Sequence, residues 1–222
     1  ISTVRITPAP KRYVYYVEAL PRDGHQQAGY RAVEPLLHKQ EYAKPGDSLN
    51  YRVPVVVEIA TGRVIKPSTE LFRHQYHVSA PHWDSNSRTL TFTFNERGHK
   101  TYRLLELDAE TGAVRTLIEE TNEKYVNYNR LYRHDFRDSR RILWTSERDG
   151  RNHIYLYDRQ KARLIRQVTK GEFYVREIQH VDEKAGVVYF SANGMNKTED
   201  PYLIHYYKIG LDGRHLVCLH EI

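Results

Sequence analysis

What most constrains this chain is a layout that returns three times. A strand-like run at 89–94 is followed by the turn Asn95-Glu96-Arg97-Gly98 and a second strand at 102–108. The turn Ala109-Glu110-Thr111-Gly112 and a third strand at 114–118 complete the unit. Sliding Gly98 onto Gly150 brings Leu107-Asp108 near Tyr157-Asp158 and 115–118 near 165–168. A third copy runs through Val187-Val188-Tyr189-Phe190-Ser191, the strand 203–209, the turn Leu211-Asp212-Gly213 and the strand 215–219. Each copy is preceded by a weaker strand signal: His74, Tyr76 and Val78; then Tyr125, Val126 and Tyr128; then Glu177, Ile178, His180 and Val181. Four-stranded antiparallel units returning roughly every 40 to 50 residues are the sequence mark of β-propeller blades. A generic β-sandwich also spaces its strands regularly, but it has no reason to repeat the third strand in register.

The pattern inside the strands agrees. Leu90, Phe92 and Phe94 alternate with threonines, so they share one face of a pleated strand. Tyrosines and β-branched residues suit half-buried sheet surfaces. The turns carry glycine, which supplies the positive φ that tight hairpins need. The expected fold class is therefore all-β, a partial β-propeller of about four blades. Regular blades are expected at 82–123, 124–171 and 172–222, and an irregular first blade at 1–81. In that first part 13–20 reads as a strong strand, and 30–39 is ambiguous between an extended segment and a short helix. Tyr42-Ala43-Lys44-Pro45-Gly46-Asp47 reads as a turn. The strand at 53–59 contains Pro54, which places it at an edge or makes Pro54 its start.

Composition removes several classes of function. The net charge is +6 but is interspersed with acidic residues, without a basic run or a recognisable nucleic-acid module. The 18 tyrosines suit a β-core rather than base-stacking platforms. No apolar run is long enough to span a bilayer. Cys218 is the only cysteine, which excludes an intrachain disulfide but not a bacterial periplasm. The chain opens on Ile1, so its natural start is expected to have been removed. Asn196-Lys197-Thr198 would mark an exposed loop in a glycosylating source.

Candidate chemistry is sparse. No Gly-x-Ser-x-Gly elbow and no phosphate-cradling glycine loop occurs. His74, His77 and His82 have a suggestive spacing. A strand and the Pro81 turn would send His74 and His77 to opposite faces, against a converging metal site. His134-Asp135 could be an orienting pair, but no nucleophile lies beside it. Glu119-Glu120 could hold an amine, although its place after an outer strand suggests a solvated loop. His99 and Lys100 read as ordinary hairpin residues. No catalytic residue, metal site or cofactor is indicated.

Taken together, several motifs resemble the N-terminal propeller of the dipeptidyl peptidase IV family and its bacterial branch. They are Ser146-Glu147-Arg148-Asp149-Gly150 with His153-Ile154-Tyr155-Leu156-Tyr157-Asp158, then Ile165-Arg166-Gln167-Val168-Thr169-Lys170-Gly171, then Val181-Asp182-Glu183 with Val188-Tyr189-Phe190. The segment from Tyr42 to Asp47 with Ala60-Thr61-Gly62, and Asp200-Pro201-Tyr202 with His205-Tyr206-Tyr207, extend the likeness over about 40–222. The resemblance implies the substrate-access and positioning part of a serine exopeptidase that releases N-terminal dipeptides. It also implies a C-terminal α/β-hydrolase domain as partner, a homodimeric parent and a periplasmic or secreted location. The family's amine-holding glutamates are expected upstream of this chain, and the last blade is expected to continue beyond it. The stretch Tyr125-Val126-Asn127-Tyr128-Asn129-Arg130 is similar to one that borders the family's pocket. Arg130 falls on the family's arginine, and Asn129 replaces an aromatic. Those two are the expected substrate-side residues, and the chain alone is expected to be inactive. A stand-alone envelope binding module and a related tripeptidyl or aminoacyl peptidase are the alternatives.

Overall fold

The computed structural model describes residues 3–5 and 13–19 as backbone strands and residues 46–219 in full. Within them lie four antiparallel sheets in chain order. Sheet 1 contains β1 (Thr3–Arg5), β2 (Tyr13–Ala19), β3 (Arg52–Glu58) and β4 (Val64–Ile65). Sheet 2 contains β5 (Gln75–Val78), the short β6 (His82–Trp83), β7 (Thr89–Glu96), β8 (Thr101–Asp108) and β9 (Val114–Thr121). Sheet 3 contains β10 (Arg133–Asp135), β11 (Arg141–Ser146), β12 (His153–Asp158) and β13 (Arg163–Gln167). Sheet 4 contains β14 (Tyr174–Asp182), β15 (Val187–Asn193), β16 (Ile204–Gly210) and β17 (Val217–Cys218). The first sheet is thus also a four-stranded meander. β5 precedes residue 81 in sequence, but its hydrogen bonds run to β7.

Consecutive sheets are stacked face to face, and each contact is an apolar core. Val56 and Phe72 meet Leu90, Phe92, Phe94 and Leu105 between sheets 1 and 2. Leu104, Leu117 and Ile118 meet Ile142, Trp144, Tyr155 and Tyr157 between sheets 2 and 3. Leu143, Ile154 and Leu156 meet Val188, Phe190 and Ile209 between sheets 3 and 4. Period-2 alternation explains the division: successive residues of one strand serve the two neighbouring interfaces. The middle strands of sheets 2 and 3 are therefore covered on both faces, not half-buried. Even the alternate position Thr91 is buried, and it accepts a 2.8 Å hydrogen bond from Arg133 of the next sheet.

Charged groups also cross the interfaces. Arg159, 4% exposed, bridges Asp84 and Glu106 at 3.0 Å each. Paired this way, buried charges recover part of their desolvation cost.

Two strand expectations change. Tyr125, Val126 and Tyr128 do not form the inner strand of sheet 3; β10 does. Asn122 Oδ1 accepts from the backbone N–H groups of Lys124 and Tyr125, an Asx turn that offers the backbone an alternative to strand pairing. The segment ends in a 3₁₀ turn at Tyr128–Arg130. β3 is an interior strand despite Pro54. β4 pairs only with Val56 and Val57, so at Pro54 no described strand pairs on that side and the missing N–H breaks no ladder bond there.

Candidate functional site

The meander topology sends two kinds of connection to the same end of the stack. The β7–β8, β11–β12 and β15–β16 hairpins lie there, and so do the links from each outer strand to the next inner one. Cross-links confirm the sorting. The Val126 N–H donates to the His99 carbonyl at 2.8 Å, and the Val175 N–H to the Asn152 carbonyl at 2.9 Å. At this end a pocket lies between sheets 2 and 3, walled by Glu120, Asn127, Arg130, Glu147, Arg148 and Asn152. It is about 30 Å³, room for a water molecule or one chemical group rather than a whole peptide.

The two carboxylates differ in what they have left to offer. Glu120 Oε1 accepts from the Trp144 indole N–H at 2.9 Å and Oε2 from the Ser146 hydroxyl at 2.7 Å. Arg148 pairs with the same carboxylate. Burial works against the Arg148 guanidinium, but Glu120 and Tyr157 together outweigh it and raise its pKa. Glu120 is therefore a buried inter-sheet anchor, not part of a solvated loop. Glu119, on the opposite face of β9, pairs with Arg103. The two glutamates cannot act as a pair because consecutive strand residues point apart.

Glu147 accepts from Asn127 Nδ2 at 2.9 Å and from the Tyr174 hydroxyl. The Tyr174 pKa is pushed up to about 12, by burial first and then by its bond to Glu147 and that group's charge. Tyr174 therefore remains a proton donor that fixes Glu147. Asn152 is buried, donates Nδ2 to the Val175 carbonyl at 2.8 Å, and keeps Oδ1 without a partner among the described residues.

Arg130 and Asn129 lie on the exposed 3₁₀ turn, with Arg130 on the pocket wall. The Arg130 carbonyl accepts from the Thr145 hydroxyl at 3.2 Å, which ties the turn to β11. Its guanidinium makes no ion pair among the described residues, unlike Arg133, Arg141, Arg148 and Arg159 nearby. With five N–H donors and no acceptor, it can only meet acceptor atoms.

The other sequence candidates separate. His74, His77 and His82 are all exposed, and burial together with Arg52 lowers the His77 pKa. His134 Nε2 meets Glu183 Oε1 at 2.9 Å across sheets 3 and 4, whereas Asp135 pairs with Arg133. They form a structural cross-link and an ion pair, not an orienting dyad. Asn196 of the glycosylation motif lies in the β15–β16 hairpin, half-buried, with Nδ2 donated to Glu199 at 2.6 Å. His99, an ordinary hairpin residue by sequence, sits among Tyr76, Tyr125 and Tyr128. Only tertiary contacts bring these four rings together. Among the described residues no helix is long and apolar enough to cross a membrane.

Residues 13–221 match the family described as the dipeptidyl peptidase IV (DPP IV) N-terminal region, and the chain belongs to that family. Two solved structures share the fold. One is dipeptidyl peptidase 4 of Porphyromonas gingivalis, with a TM-score of 0.70 and 19% identity, matched over 95% of this chain and 29% of that one. The other, assigned as a dipeptidyl aminopeptidase IV of Bacteroides ovatus, has a TM-score of 0.63 and 20% identity over 92% of this chain and 31% of that one. The present chain therefore spans less than a third of either.

Proposed function

We propose that this chain is the propeller part of a serine-type dipeptidyl peptidase that releases dipeptides from peptide N-termini. In this reading it works with a C-terminal α/β-hydrolase domain that carries the catalytic serine, aspartate and histidine. The parent is a homodimer placed in the periplasm or secreted. The domain admits and orients the peptide; it makes and breaks no bond, and its contribution is one of proximity and orientation.

The observation that carries this reading is Arg130: an exposed guanidinium, without an ion pair among the described residues, on the wall of a pocket whose Glu120 carboxylate is already engaged at both oxygens. It donates to a backbone carbonyl of the substrate, with Asn129 beside it as a smaller polar neighbour. The pocket is too small to enclose a peptide, which fits a site completed by a second domain.

The test is hydrolysis of an Xaa-Pro chromogenic substrate by the intact enzyme and by the isolated 222 residues. Turnover is expected from the first and none from the second. Activity of the isolated domain would overturn its assignment as a non-catalytic part. In the intact enzyme Arg130→Ala is expected to raise KM about 10- to 100-fold, the worth of a hydrogen bond from a charged group.

A further inference from the structure

The segment that delivers Arg130 has little regular structure of its own. It leaves β9, crosses to sheet 3 and ends in a single 3₁₀ turn without a side-chain cap. Something else must hold it, because an unsupported link of this kind samples many backbone states.

The support comes from the β7–β8 hairpin. The Asn122 N–H donates to the Lys100 carbonyl at 3.0 Å and the Val126 N–H to the His99 carbonyl at 2.8 Å. The His99 ring stacks on Tyr128 at 5.1 Å between centroids, with 30° between planes. Tyr76 packs edge-on against His99 at 4.4 Å and lies 6.4 Å from Tyr128, so the three rings form a triangle, and Tyr125 lies 5.7 Å from His99. Asn95 Oδ1 meets His99 Nδ1 at 3.1 Å and fixes the ring's orientation. Tyr128 is the first residue of the turn that ends in Arg130.

His99 also breaks a local rule. Its φ is 58°, in the left-handed region where glycine would sit without cost. The chain places a ring there. The Asn95 contact and the tyrosine packing offset the strain, so the ring's position is over-determined by its surroundings.

We infer that His99 is a positioning residue: its ring, packed against both Tyr76 and Tyr128, holds the turn that presents Arg130 to the peptide. The inference rests on the reading of Arg130 as a substrate contact. Its energetic source is aromatic pairing, which adds to what simple burial provides.

The test compares four variants of the intact enzyme. His99→Asn tolerates positive φ but has no ring. His99→Phe keeps a ring but meets the left-handed penalty. If the ring positions Arg130, His99→Asn raises KM about tenfold with kcat nearly unchanged. His99→Phe then keeps KM near wild type although it melts at a lower temperature than His99→Asn. This inverse order of stability and KM does not arise from a purely structural role. Tyr76→Leu, which removes a ring that touches both His99 and Tyr128, raises KM in the same direction. Amide exchange at Val126 quickens in His99→Asn. An unchanged KM in His99→Asn, with a raised KM in Arg130→Ala, overturns the positioning role and leaves the Arg130 contact standing, whatever Tyr76→Leu does. An unchanged KM in Arg130→Ala removes the contact and, with it, this inference.

Discussion

His153 shows how much a single side chain's neighbours decide. It is buried at the start of β12, with Nε2 against the Gly171 carbonyl at 3.1 Å and Nδ1 against the Thr169 hydroxyl at 3.2 Å. A carbonyl can only accept, so Nε2 carries the proton and Nδ1 accepts from Thr169; the ring is neutral. Burial is the main cause that lowers its pKa below the ordinary 6.5. Arg151 adds to the lowering, while the Gly171 carbonyl and Asp149 oppose it. Below about pH 6.5 the unfolded chain takes up this proton and the folded chain resists, so stability falls as pH drops through that range. His153→Gln is expected to be less stable at neutral pH, with a flatter loss of melting temperature on acidification. An equally steep loss would show that His153 is not the group involved. In sequence His153 was only one member of a family-like motif. Glu120 was similarly opaque: the pair Glu119-Glu120 is visible, but its partners Trp144 and Ser146 lie on another sheet.

At the scale of elements, turns were legible and links were not. The β8–β9 turn shows why a glycine can be needed twice over. Gly112 has a φ of 76°, and a Cβ added to it would lie 3.0 Å from Ile65 Cγ2 in the neighbouring sheet. Gly62, at a φ of 71°, has open space around that position. Both alanine substitutions incur the left-handed penalty of about 1–2 kcal/mol. Gly112→Ala is expected to cost more than Gly62→Ala in urea denaturation. Equal costs would mean that sheets 1 and 2 yield freely at this contact. The segment 122–130 was misread because tyrosine and valine favour strands locally. The asparagines and the His99 carbonyl supply competing partners there, and that competition is decided by distant residues.

At the scale of the molecule, sheets 2 and 3 are sandwiched on both faces, but the far face of sheet 4 is not covered by the described residues. Ile204, Tyr206, Val217 and Leu219 on that sheet are each 43–50% exposed. Tyr202 in its hairpin is 85% exposed. A contiguous apolar sheet face of this kind favours association. The 222-residue chain alone is expected to self-associate as concentration rises, and the double variant I204K/V217K to suppress this. A wild-type monomer of constant sedimentation coefficient at all concentrations would contradict that.

The sequence by itself determined the repeat, the all-β class, the hairpin turns and, by resemblance, the family, because period, alternation and turn chemistry are local properties of a chain. Only the tertiary structure decided which faces are doubly buried, that Glu120 is a buried anchor, and that His99 meets three tyrosines beside the turn of Arg130. Those outcomes depend on which residues of separate sheets come within a few ångströms, and spacing along one chain does not contain that information.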